Sequence, residues 1–90
     1  MKKHYNITVT GRVQGIFFRG ATRNIARYLN INGFVKNNSD GTVYIEAEGA
    51  SENLSEFIKW CKKGHDYAII DEIVVEKERF KNLKGFRVQY

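Results

Sequence analysis

The chain has 90 residues, a length that fits one domain, so residues 1–90 are expected to fold as a single unit. With 42% hydrophobic and 28% charged residues, the composition is that of a globular protein. No apolar run approaches the roughly 20 residues that are needed to cross a bilayer. The single cysteine excludes a framework of internal disulfides and favours the cytoplasm. The net charge of +5 attracts anions, which leaves open a phosphorylated substrate, nucleic acid, or a solvated basic surface without a partner.

The first predicted elements are a strand and a helix. Residues alternate between apolar and polar from Tyr5 to Val13, which predicts a strand with one buried face. The helix that follows is expected to turn Arg23 outward and to end at Asn30. Its predicted core face consists of Ala21, Ile25, Tyr28 and Leu29.

A hairpin is predicted after this helix. Phe34 to Lys36 is short and apolar enough for a strand, and Asp40-Gly41 is a common hairpin turn. The alternation from Thr42 to Glu48 predicts the second strand of the pair, which Gly49 is expected to interrupt.

A second helix and two strands complete the chain. Ser51 is expected to cap the helix and Gly64 to end it. Residues 69–78 are rich in β-branched side chains and predict a fourth strand, and the alternation over residues 86–90 predicts a short last one. The core stripe of this helix is Leu54, Phe57, Ile58 and Cys61.

The predicted order is β-α-β-β-α-β with a small extra strand. This order favours an α+β fold, a ferredoxin-like sandwich in which an antiparallel sheet of four to five strands carries two helices packed on one face. The sequence contains no internal repeat, linker or low-complexity tract that would divide it further.

The loop between the first strand and the first helix has the features of an anion site. Glycines in the stretch from Gly11 to Gly20 allow backbone N–H groups to converge, and the helix adds its unpaired N–H groups and the positive end of its dipole. Arg19 can hold a phosphate through two parallel hydrogen bonds, and a cation is otherwise unfavourable beside a positive helix end. The alternative is a plain structural turn followed by a surface arginine.

Two segments resemble motifs of the acylphosphatase family. Residues 13–19, V-Q-G-I-F-F-R, are similar to the family signature V-Q-G-V-x-F-R. Residues 33–41, G-F-V-K-N-N-S-D-G, are similar to its segment G-W/F-V-x-N-x-x-D-G. The resemblance extends over nearly the whole chain. Two of its departures, Ile16 for valine and Phe34 for tryptophan, are conservative, and the third, Gly64-His65 for Gly-Pro, affects the rigidity of a loop.

The resemblance implies an enzyme without metal or cofactor that hydrolyses acyl phosphates to a carboxylate and inorganic phosphate. It implies that Arg19 and Asn37 are catalytic, Arg19 by holding the phosphoryl group and Asn37 by positioning the attacking water. It also suggests that the carboxylate of Tyr90 pairs with Arg19 and that Thr22 has a supporting role. The substrate-binding residues that it implies are Gln14, Gly15, Ile16, Phe17, Phe18 and Arg19.

Several residues have a second interpretation. Without the resemblance, Asn37 would be taken as a turn former, and Cys61 belongs to a packing stripe. Phe18 is expected to anchor the loop in the core, whereas Phe17 either lines the acyl side of the pocket or packs. With one cysteine and no close cluster of His, Asp and Glu, no metal site is expected, and the loop lacks the Lys-Ser/Thr of a nucleotide-binding P-loop.

The expected partners are an acyl phosphate as substrate and inorganic phosphate as product or inhibitor. We expect a cytoplasmic monomer that binds neither nucleic acid nor membranes. Ferredoxin-like sheets also form RNA-binding domains, but Glu46 and Glu48 are predicted to share the exposed face with Tyr44 and to repel a nucleic-acid backbone. A second alternative is an acylphosphatase-like domain that serves a larger assembly, although such domains are usually fused to others. The sequence does not identify the physiological substrate.

Overall fold

Seven elements follow one another in the predicted order in the computed structural model, which describes residues 1–65 and 67–90. The described helices are too short and too polar for any of them to span a membrane. The strands are β1 (Lys2–Arg12), β2 (Asn32–Asn37), β3 (Val43–Ala50), β4 (Ile69–Glu78) and β5 (Phe86–Gln89). The helices are α1 (Phe18–Tyr28) and α2 (Ser51–Lys63).

The sheet has the strand order β4-β1-β3-β2-β5. β1 pairs antiparallel with β3 and β4, and β2 pairs antiparallel with β3, as predicted. β5 lies parallel to β2, so the sheet is mixed and the prediction of an antiparallel sheet requires a correction at this edge. The reason is that β4 and β5 occupy opposite edges, and the connection over residues 79–85 crosses the sheet before β5 begins.

Both helices pack on one face of the sheet, which confirms the ferredoxin-like prediction. α1 packs against β2 and β5, whereas α2 packs against β1, β3 and β4. The predicted stripe of α2 is also confirmed, with Leu54, Phe57 and Cys61 fully buried and Ile58 partly buried. The strand residues of this core are Ile7, Val9, Val35, Val43, Ile45, Ala47 and Phe86.

The buried face of α1 agrees with the prediction in part, since Ile25 and Leu29 pack against the core. Tyr28, which was expected in the core, is 81% exposed. The buried positions are Gly20 and, four residues apart and therefore on one face of the helix, Phe18, Thr22 and Ala26. Thr22 fits among these residues because its hydroxyl donates to the carbonyl of Phe18 at 2.8 Å.

The junction between β3 and α2 also differs from the prediction. Gly49 lies inside β3 and pairs with Lys3 instead of interrupting the strand, because β1 pairs with β3 along the whole length of β3. Ser51 is the first residue of α2, and its backbone N–H donates to the carbonyl of Met1. The residue before the helix is Ala50, which makes no side-chain cap.

The other face of the sheet is partly covered by the connection over residues 79–85. Glu48, which was predicted on the exposed polar face, is 1% exposed, and His4 beside it is 0% exposed. The carboxylate of Glu48 accepts hydrogen bonds from the backbone N–H groups of Lys81 and Leu83 and contacts Nδ1 of His4 at 2.9 Å. The charge of Glu48 is therefore used inside the protein and does not contribute to an exposed acidic surface.

Candidate active site

The loop between β1 and α1 has a constrained backbone. Gly15 and Phe17 both have positive φ angles, of 76° and 62°. The left-handed region costs a residue with a side chain about 1–2 kcal/mol, so Phe17 holds this conformation only because its neighbours impose it. Phe17 is also 66% exposed, so packing in the core does not explain its position.

Phe18 anchors the loop in the core, as predicted. Its side chain is 1% exposed and stacks against Trp60 and His65, with ring centroids 5.6 and 6.0 Å away. Because α1 begins at Phe18, this packing fixes where the helix starts and which way its first turn points.

The first turn of α1 has no negative charge. Phe17, at the N-cap, makes no side-chain cap, and the first turn contains no acidic residue. Within the described part of the chain, Ala21 is the first residue of α1 whose backbone N–H donates a hydrogen bond, and its acceptor is the carbonyl of Phe17. Unpaired N–H groups and a positive dipole end are therefore available to an anion at this point.

A cavity of about 140 Å³ opens beside this helix end. The guanidinium of Arg19 lies over the aromatic ring of Tyr90, with its central carbon 4.8 Å from the ring centroid. The resemblance suggested a pairing with the carboxylate of Tyr90, whereas the contact found here is with its ring. This stacking positions the guanidinium at the cavity. The lining residues include Gly15, Phe17, Phe18, Arg19, Arg23 and Tyr90.

Gln14 ties the loop to the hairpin between β2 and β3. Its side-chain Nε2 donates to the carbonyls of Asn38 and Thr42, both at 2.9 Å. These bonds use both amide hydrogens, so the side chain of Gln14 has no donor left for a ligand. The loop and the end of β2 are thereby fixed next to each other.

Asn37 is the last residue of β2 and precedes this turn. Its Oδ1 atom is buried and has no hydrogen-bond partner within residues 1–65 and 67–90. Because buried polar atoms are nearly always paired, an unpaired amide oxygen indicates a place for a ligand or a water.

The turn after Asn37 is internally bonded. The carboxylate of Asp40 accepts hydrogen bonds from the hydroxyl and the backbone N–H of Thr42, at 2.7 and 3.0 Å. These two bonds hold the pKa of Asp40 below its usual range. Asn38 closes the other side by donating to the Thr42 hydroxyl at 2.9 Å. The turn therefore gives Asn37 a fixed support.

The predicted site residues are close together but do not all line the cavity. Gly15, Phe17, Phe18 and Arg19 line it. Ile16 packs against the core, and Asn37 adjoins the loop through the bonds of Gln14 to the hairpin. Sequence reasoning placed Arg23 outward, but it lines the cavity; its spacing of four from Arg19 is the signal that could have found it.

Other candidate chemistry has less support. Among the residues described, no group of three or more His, Cys, Asp or Glu side chains is arranged to hold a metal ion. Cys61 is buried in the core, and desolvation raises the pKa of its thiol, which opposes a nucleophilic role. The cavity at the start of α1 is thus the candidate active site.

Comparison with known proteins identifies the family. A family model described as acylphosphatase matches residues 5–88. The chain belongs to the acylphosphatase family. The acylphosphatase of Ligilactobacillus salivarius is 45% identical over 89 residues, which cover 98% of this chain and 99% of that protein. This confirms the predicted activity, the hydrolysis of acyl phosphates.

Solved structures of acylphosphatases have the same fold. The crystal structure of acylphosphatase from Bacillus subtilis matches with a TM-score of 0.94 and 35% identity, and the match covers 100% of both chains. The crystal structure of full-length HypF in the phosphate- and nucleotide-bound form matches with a TM-score of 0.93 and 35% identity. That match covers 100% of this chain and 12% of the HypF chain. The fold of this acylphosphatase therefore also occurs as part of a longer protein.

Proposed function

We propose that this acylphosphatase binds the phosphoryl group of its substrate on the loop from Gln14 to Arg19. The single observation that carries the proposal is the start of α1, which has unpaired N–H groups, no cap and no acidic residue. Arg19, stacked on Tyr90 at the same cavity, adds a cation that can bind two phosphoryl oxygens. Backbone N–H groups and a fixed guanidinium together neutralise the charge that phosphoryl transfer spreads over these oxygens.

Asn37 aims the attacking water in this proposal. Its unpaired Oδ1 accepts a hydrogen bond from the water, which directs a water lone pair toward phosphorus. As the new O–P bond forms, the bond between phosphorus and the carboxyl oxygen breaks, and the carboxylate leaves with the electron pair. The surplus proton of the water passes to solvent. Since a carboxylate leaves readily, positioning and charge neutralisation replace a strong general base.

The wider setting is part of the proposal. A single domain over residues 1–90 is supported by the family match to residues 5–88. We expect a cytoplasmic monomer whose activity needs no metal or cofactor and is inhibited by inorganic phosphate. We expect no binding to nucleic acid or membranes, since the basic side chains are scattered in the sequence instead of clustered.

The test is the hydrolysis of benzoyl phosphate in excess chelator by the wild type and by Arg19→Ala and Asn37→Ala. Each variant is expected to lose about 10²–10³ in kcat, the usual cost of one transition-state hydrogen-bond donor or positioning group. Arg79→Ala is the matched control, because Arg79 is exposed and lies outside the cavity. Circular dichroism establishes that each variant is folded.

Three outcomes would each contradict a part of the proposal. If the folded wild type does not hydrolyse benzoyl phosphate, the assigned activity is wrong for this chain. If chelator abolishes turnover and added Mg²⁺ restores it, the metal-independent mechanism is wrong. Equal activity of the wild type and the two site variants would remove the roles of Arg19 and Asn37.

A further inference from the structure

Arg23 lines the same cavity as Arg19, one turn further along α1. Residues four apart in a helix are neighbours on one face and lie about 6 Å apart along the helix axis. Two like charges at this spacing destabilise a helix, and the positive dipole end adds to the cost at Arg19. A second cation at this cavity is therefore expected to meet negative charge from a bound molecule.

Arg23 has no carboxylate partner within residues 1–65 and 67–90, where the ion pairs involve other cations. Arg23 is half-buried as a residue, and its guanidinium donates in an exposed contact to Oδ1 of the adjacent Asn24, from Nε and Nη2, at 3.3 Å each. Both distances are at the long end for N–H···O hydrogen bonds, so this contact is weak. The guanidinium therefore retains donors for a ligand in the cavity.

The cavity is lined by apolar and aromatic residues as well as by the two arginines. The ring of Phe17 lies so close to Gly20 that a Cβ at position 20 would overlap it. Val88 and Tyr90 also line the cavity. A short hydrocarbon chain whose reacting end is at Arg19 can therefore contact apolar side chains while its far end extends toward Arg23.

We propose that Arg23 is a specificity-determining residue that selects acyl phosphates whose acyl group carries a second negative charge. The substrate class is the monoacyl phosphates of short dicarboxylic acids, whose free carboxylate would pair with the guanidinium of Arg23. This inference rests on the proposed function, because it requires the phosphoryl group to be bound at the loop beside Arg19. It extends that function from the reacting group to the acyl group.

The experiment compares kcat/KM for succinyl phosphate and acetyl phosphate, which share the reacting group and differ in the distal carboxylate. Arg23→Gln is expected to lower the ratio of the two values about 10- to 100-fold, the effect of losing a charged hydrogen bond. Arg23→Lys, which keeps the charge, is expected to retain part of the preference. Arg79→Gln is the matched control and is expected to leave the ratio unchanged, since it removes the same charge outside the cavity.

The outcomes separate this inference from the proposed function. If Arg23→Gln and Arg23→Lys hydrolyse both substrates with an unchanged ratio, the specificity role is wrong while the acylphosphatase mechanism stands. Equal losses on both substrates would assign Arg23 to the phosphoryl group or to folding, and would also overturn the inference. If the folded wild type hydrolyses neither substrate, the proposed function fails and the specificity role fails with it.

Discussion

Phe17 and Gly20 depend on each other at the entrance of the cavity. Phe17 is exposed and has a left-handed backbone, and its ring occupies the space that a side chain at position 20 would need. Alanine at position 20 would improve the helix propensity by about 1 kcal/mol but would displace the ring. The effect of Gly20→Ala should therefore depend on which residue occupies position 17.

We expect Gly20→Ala to be neutral or destabilising in the wild type and stabilising in a Phe17→Ala background. The free energy of unfolding of the two single variants and the double variant, from urea denaturation, gives the coupling directly. Purely additive effects would show that the two residues do not restrict each other.

Gln14 is expected to affect the rate through the position of Asn37. Gln14→Leu removes both hydrogen bonds to the hairpin, although each carbonyl keeps one backbone donor, from Asn38 or Gly41. The loss of stability should therefore be modest, about 1–2 kcal/mol. The fall in kcat should be larger, about 10- to 100-fold, because small misplacements of a positioning group are costly.

The measurement is kcat for benzoyl phosphate together with the free energy of unfolding of the same protein. Gln89→Leu is the control for the substitution itself, since Gln89 lies in β5 and outside the cavity. A loss of stability without a loss of rate would show that Gln14 is only structural.

At the scale of single residues, the sequence predicted those site residues that lie close together in the chain. Gly15, Phe18 and Arg19 are predictable because a strand, a glycine loop and a helix start lie within one short stretch. The proximity of Tyr90 to Arg19 follows from the parallel pairing of β5 with β2, which no local pattern indicates. The inward position of Arg23 likewise follows from how α1 rests on the sheet.

At the scale of the elements, β2 depends on the absence of a side chain at Gly33. This residue has a φ of +142°, and an added Cβ would overlap the backbone carbonyl of Glu46 on β3. Because backbone atoms in a central strand pair cannot move aside, Gly33→Ala is expected to cost at least about 3 kcal/mol. The affected strand ends at Asn37, so the hairpin at the site should also be disturbed.

Gly41→Ala is the matched control for this substitution. Gly41 also has a positive φ, +93°, but nothing lies within 4 Å of an added Cβ. Gly41→Ala should lower the free energy of unfolding by about 1–2 kcal/mol, which is the cost of the left-handed backbone alone. Thermal unfolding of both variants measures the difference, and equal losses would show that the contact with β3 is relieved by small shifts.

Helix and strand positions were predictable wherever one hydrophobic period dominated. The stripe of α2 from Leu54 to Cys61 and the strand over residues 69–78 are in this class. Gly49 has a weak strand preference, yet it lies in β3 because β1 pairs along the whole strand. At such positions the pairing with a neighbouring strand determines the secondary structure, and a single sequence does not show this pairing.

At the scale of the whole molecule, a polar cluster joins segments that are distant in the sequence. Nδ1 of His4 on β1 contacts Glu48 on β3 at 2.9 Å, and its Nε2 contacts Glu46 at 3.1 Å. Lys81 pairs with Glu46 and with Glu78, at 3.2 and 2.7 Å. The sequence pattern placed Glu46 and Glu48 on a solvated face, because it does not show that residues 79–85 cross over that face.

The cluster has a predictable dependence on pH through Glu48. Burial would raise the pKa of this carboxyl group, but the N–H groups of Lys81 and Leu83 and the ring of His4 outweigh burial and hold the pKa below its usual value. A carboxylate whose pKa is lower in the folded state stabilises the protein above its unfolded pKa of about 4.3. That stabilisation is lost as the pH falls through the lower, folded pKa.

We therefore expect Glu48→Gln to lower the free energy of unfolding by about 2 kcal/mol at pH 7, since neutral glutamine accepts the same bonds more weakly. The difference from the wild type should shrink as the pH falls below the unfolded pKa of about 4.3 and disappear below the lower, folded pKa, where Glu48 is also neutral. Urea denaturation of both proteins at pH 7 and pH 3 measures this difference in the free energy of unfolding. Glu76→Gln is the control, because Glu76 is exposed on β4. A difference for Glu48→Gln that is the same at both pH values would show that shape, and not charge, fixes the connection over the sheet.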